Sequence, residues 1–88
     1  MKENESLKKV KSTLWWIENE KDLEEFLPVL FTKKEIEDFA LRLDILKKLK
    51  VWESQRKISS DLWISITTVT RGNKFYKENK NLVDKYIK

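Results

Sequence analysis

The stretch "SQRKISSDLWISITTVTRGNKFYK", Ser54–Lys77, decides how the rest of the chain is read. Ser54 stands where an N-cap is wanted, ahead of a short helical run to about Leu62. Ile58 and Leu62 are four apart and face one way. A tight turn is expected over Trp63–Ser65. Ser65 then caps a second helix, from Ile66 to about Lys77. On that helix Ile66, Val69 and Tyr76 fall on one side. Thr67, Thr70 and Lys74 fall together on the other. One face therefore packs, while the opposite face offers hydroxyls and a cation.

Trp63 is the odd residue of the turn. Helices that end this sharply place a residue in the left-handed region, where glycine has no side-chain penalty. Any other residue there costs on the order of 1 kcal/mol or more. Burying a large apolar side chain returns about 1.5–3 kcal/mol. The expectation is a reshaped turn, or an indole covering apolar surface beside the two helices.

Outside this pair the chain reads as helices joined by short connections. It has one Gly and one Pro in 88 residues, and 39% of residues are charged. Residues Glu5 to Asn19 carry Leu7, Val10, Leu14 and Ile17 on one stripe, widened by Trp15 and Trp16, as for a core or a dimer seam. Asp22 is the expected N-cap of a helix bearing Leu23, Phe26, Leu27 and Leu30, bent or ending near Pro28. Thr32 and Glu35 form a capping-box pair opening "TKKEIEDFALRLDILKKLK", Thr32–Lys50. Ile36, Phe39, Ala40, Leu43 and Leu46 share one side of that helix, and Leu41, Ile45 and Leu49 widen it. So broad an apolar arc implies a central helix, enclosed by its own chain and by a second copy. Arg42 falls among those apolar residues. It needs a partner or an exit to water, through an ion pair, snorkelling or a ligand. In the tail, Lys80–Lys88, the positions of Leu82, Val83, Tyr86 and Ile87 favour docking over fraying.

Composition bounds the function. A chain of 88 residues is one small domain with a marginal core, which a partner chain would help. It has no cysteine and no histidine, which excludes disulfides, thiolate metal sites, thiol nucleophiles and the commonest general base. No residues mark an enzyme, and no metal site is expected. The net charge of +4 and pI near 9.3 favour an anionic partner. No run of residues is apolar enough to span a membrane, and the polar start is unlike a secretory signal, so a cytoplasmic location is expected. The two-faced helix beginning at Ile66 suits major-groove entry into double-stranded DNA, with Gln55 and Arg56 meeting the phosphate backbone.

The segment "SQRKISSDLWISITTVTRG", Ser54–Gly72, resembles the reading head of the bacterial tryptophan repressor family, and the similarity runs back through "LFTKKEIEDFALRLDIL", Leu30–Leu46. It spans about Leu23 to Lys77. The resemblance implies an all-α, intertwined homodimer of about six helices per chain with a helix-turn-helix reading head. Residues 1–88 would form a single domain: a dimerisation core over 1–53, the helix-turn-helix over 54–77 and a C-terminal helix over 78–88. The implied function is sequence-specific transcriptional repression, with L-tryptophan as corepressor and no further cofactor. Carried over by motif, Arg42 and Arg71 stack on the two faces of the indole. Thr68 and Gly72 line the pocket, with Ile45 and Leu46. Arg71 or Thr32 holds the carboxylate, and partner-chain carbonyls near Leu27, Val29 and Phe31 receive the ammonium. The implied operator contacts are Gln55, Arg56, Ile66, Thr67, Thr70, Lys74 and Lys77. Two departures stand out. The junction "LKVWESQ" is one residue shorter than the family pattern, and Phe75 stands where a small hydroxyl is expected. The alternatives are a dimer of the same fold that binds DNA without a ligand or with a different one, and a helical protein-interaction dimer with no DNA role.

Overall fold

A computed structural model describes residues 3–88. Six helices follow one another: α1 Glu3–Trp15, α2 Glu20–Leu30, α3 Lys33–Lys50, α4 Gln55–Leu62, α5 Ile66–Glu78 and α6 Lys80–Tyr86. The described residues contain no strand. None of these helices is long and apolar enough to cross a membrane. The chain divides into two compact units, the first ending at Ile36 and the second running from Glu37 to Lys88.

The first unit holds α1, α2 and the first residues of α3. Two expectations need correcting here. α1 stops at Trp15 rather than running to Asn19, because Asn19 has another task. It is the N-cap of α2, accepting from the Asp22 backbone N–H at 2.9 Å while its amide donates to the Asp22 carboxylate at 2.9 Å. Asp22 is thus the reciprocating third residue of the helix and not its cap. Pro28 lies inside α2, and the helix ends close after it, at Leu30, as expected. Proline so near a C-terminus removes a single backbone donor while its fixed φ remains helical. Thr32 and Glu35 exchange both capping-box bonds at the start of α3, at 2.9 and 3.1 Å.

The second unit is organised around the C-terminal half of α3. Its core comprises Ile45, Leu46 and Leu49 from α3, Ile58 from α4, Val69 and Tyr76 from α5, and Val83 from α6. Leu41, Leu62, Ile64 and Ile87 pack against it, partly buried. Ile58 and Val69 have no exposed surface at all. They are where α4 and α5 meet, and each contributes about 1.5–3 kcal/mol of burial.

Both sharp exits in this unit have the same construction. At the end of α3, Trp52 N–H donates to Leu49 O and Glu53 N–H reaches back to Lys48 O. At the end of α4, Trp63 N–H donates to Ser60 O and Ile64 N–H reaches back to Ser59 O. These are paired Schellman closures, and in each the left-handed position holds a tryptophan: φ 67° at Trp52 and 57° at Trp63. The turn at Trp63 is therefore not reshaped. Nor is the indole laid over apolar surface, since Trp63 is 94% exposed and Trp52 89%.

The tail docks as α6. Val83 is buried, Tyr76 Oη donates to the Asp84 carboxylate at 3.1 Å, and Lys50 Nζ donates to the carbonyls of Asp84 (3.3 Å) and Ile87 (2.9 Å). Of the four tail residues expected to pack, Leu82 and Tyr86 stay exposed.

Candidate functional site

The helix pair α4–α5 is capped at both starts by serine. Ser54 Oγ accepts from Lys57 N–H, and Ser65 Oγ accepts from Thr68 N–H. Ser59 Oγ donates to Ile64 O across the turn, which fixes where α5 begins. Each cap is worth about 1 kcal/mol.

The outward surface of this pair carries the residues expected to meet DNA. Arg56, Ile66, Thr67, Thr70, Lys74 and Lys77 are exposed, and Gln55 is half-buried. Ile66 departs from the simple packing face on which its spacing places it, and lies nearly half exposed at the first turn of α5. Thr70 Oγ1 is within 2.8 Å of Gln55 Oε1 and within 2.9 Å of Ile66 O, so its proton is shared between two acceptors. The Gln55 contact ties the start of α4 to the middle of α5, fifteen residues later. Lys57 is differently engaged. It pairs with Asp61 at 3.1 Å and Glu53 at 3.7 Å. The Asp61 hydrogen bond, then the Asp61 and Glu53 charges, push its pKa up, so it stays charged but bound to its own helix.

Behind α5 lies a cleft of about 490 Å³ between it and α3. Arg42, Ile45 and Leu46 line it from α3, and Thr68, Arg71 and Gly72 from α5. Six residues expected to contact the ligand are thus brought together. Both guanidinium groups are on exposed residues that border the opening. Thr68 is half committed, since its hydroxyl is 2.9 Å from Ser65 Oγ. Gly72 sits where the two helices nearly touch: a Cβ there would lie 2.8 Å from Ile45 Cγ2. The glycine thus permits the close approach of α5 to α3, quite apart from any ligand. Phe75 also lines the cleft, as its departure from the family pattern implied.

Two lining residues, Asp38 and Leu41, were not among the expected ligand contacts. The spacing contained the signal: Asp38 precedes Arg42 by four, and so shares its side of α3. Thr32 belongs to the first unit, where its hydroxyl and backbone N–H are both used in the capping box. Leu27, Val29 and Phe31 are in the same unit, and the Leu27 carbonyl accepts the Phe31 N–H at 2.9 Å. A larger concavity, about 690 Å³, lies in the first unit and is lined by Ser12, Thr13, Trp16, Ile17, Asp22, Glu25 and Phe26. It contains no cation and none of the expected site residues.

A family model described as Trp repressor protein matches residues 5–88, nearly the whole chain. Neither a curated protein nor a solved structure matches.

Proposed function

The chain belongs to the Trp repressor protein family, a family of DNA-binding transcriptional regulators, and from that premise we propose that it represses transcription as a homodimer with L-tryptophan as corepressor. The observation that carries this reading is the cleft that places Arg42 of α3 and Arg71 and Gly72 of α5 around one opening behind the reading helix. A planar guanidinium stacks on an aromatic face and also pairs with a carboxylate. A ligand wedged there changes how α5 projects from α3. In a dimer, that sets the separation of the two reading heads against successive major grooves.

Gln55, Arg56, Ile66, Thr67, Thr70, Lys74 and Lys77 are the proposed operator contacts, with arginine and lysines on phosphates and the short side chains nearest the bases. Arg42, Ile45, Leu46, Thr68, Arg71 and Gly72 form the proposed ligand pocket. Thr32 and the Leu27, Val29 and Phe31 carbonyls of a second copy complete it in this reading. The exposed apolar side chains of the first unit, Leu7, Val10, Trp15, Trp16, Leu23, Val29 and Leu30, support a second copy as its cover. We take residues 1–88 as one repressor domain, acting in the cytoplasm, where the operator is.

Calorimetric titration of the protein with L-tryptophan, paired with operator gel shifts, tests the reading. Heat of binding and tighter operator binding in the presence of the ligand are expected. No heat at millimolar ligand would overturn it. Phe75 favours a second reading, in which an apolar side chain occupies part of the cleft and the dimer binds DNA without tryptophan. Tight operator binding that ignores added ligand is its mark.

A further inference from the structure

The lining of the α3–α5 cleft is chemically lopsided. Arg42 and Arg71 provide positive charge, while Leu41, Ile45, Leu46, Gly72 and Phe75 provide apolar wall. Asp38 is the one carboxylate among the lining residues. An aromatic acid needs only the arginines and the wall. A carboxylate beside it is a like charge and weakens its binding. The same carboxylate favours a ligand that carries positive charge as well.

We propose that Asp38 receives the ammonium group of the ligand, from the same chain that supplies the two arginines, and so makes the cleft select an aromatic α-amino acid over the matching acid without the amine. This rests on the reading of the cleft as an L-tryptophan site. Phe75 strengthens the assignment, because it offers no polar side-chain atom where the family pattern has a hydroxyl. Among the lining side chains that leaves Asp38 as the acceptor for an ammonium. An ionised carboxylate has two oxygens and room for about four donors, so a contact within the chain leaves capacity for the ligand. An ammonium carries three donors, so a bond to the Asp38 carboxylate leaves donors for the carbonyls of the second copy.

The test is calorimetry on the full chain and on Asp38→Asn, each titrated with L-tryptophan and with indole-3-propionate, which keeps ring and carboxylate but lacks the amine. Asparagine has nearly the same shape as aspartate, the site is exposed, and the thermal melt checks that the variant is folded. The native protein should prefer L-tryptophan. Asp38→Asn should bind L-tryptophan about tenfold more weakly and indole-3-propionate as well or better. Equal losses for both ligands, or no loss for L-tryptophan, would overturn the assignment while leaving the tryptophan site standing. If the native protein binds neither ligand, the site itself is wrong, and this inference falls with it.

Discussion

At the level of single residues, tryptophan and glycine have exchanged their usual places. Both left-handed helix exits carry tryptophan, and the one glycine of the chain lies inside a helix. The cost at Trp63 is not returned by burial, since its indole is nearly all in water. Replacing Trp63 with glycine should therefore raise stability by about 1 kcal/mol, read as a higher midpoint in urea denaturation with unchanged slope. Loss of stability would mean that the indole is doing packing work absent from the fold described here. Gly72 is explained by the opposite argument. Its missing Cβ lets α5 rest against Ile45, a requirement set by a residue 27 positions earlier in the chain. Sequence spacing tied Gly72 to Arg71, but gave no hint of that close approach.

Helix starts were the most legible elements. Thr32, Ser54 and Ser65 cap as their spacing indicates, because side-chain capping is settled within four residues. The start of α2 was misread for the same local reason: Asn19 and Asp22 are both good caps, and only their mutual hydrogen bonds decide between them. What could not be read were contacts between elements, such as Gln55 with Thr70 or Lys50 with the last turn of α6. Two predictions belong here. Thr70→Ala and Lys74→Ala should each weaken operator binding with the fold intact; the lysine change should leave the thermal midpoint in place and flatten the salt dependence, while the threonine change also removes the Gln55 contact. Unchanged affinity in both variants would remove α5 as the reading helix. The second concerns α6. The Lys80 hydrogen bond is the largest influence holding the Asp84 carboxyl below its ordinary value of 3.8, with burial opposing it and the Tyr76 hydroxyl helping. A depressed folded value means the stabilisation is present above 3.8 and is lost as pH falls from there through the lowered folded value. Acid melts of the native chain should show that loss, and Asp84→Asn should lack it. Parallel acid limbs for the two proteins would rule the contact out.

For the whole molecule, the second unit closes its own core, whereas the first leaves most of its apolar side chains in water. On α3, Phe39 and Leu43 of the wide apolar arc are also exposed in the single chain. The second copy proposed above would cover them, and sedimentation of the full chain at micromolar concentration should then give twice the monomer mass. A monomer there would undo the proposed spacing of reading heads. The four tryptophans turn this into an optical experiment. Trp15 and Trp16 belong to the first unit and Trp52 and Trp63 to the second, and all are open to solvent in the single chain. Indole emission moves to shorter wavelength in apolar surroundings. Assembly through the first unit should therefore shift one pair of chromophores and spare the other. A dilution series then reports dissociation as a partial red shift, with no label attached, while Trp63 remains a wet fluorophore three residues ahead of α5.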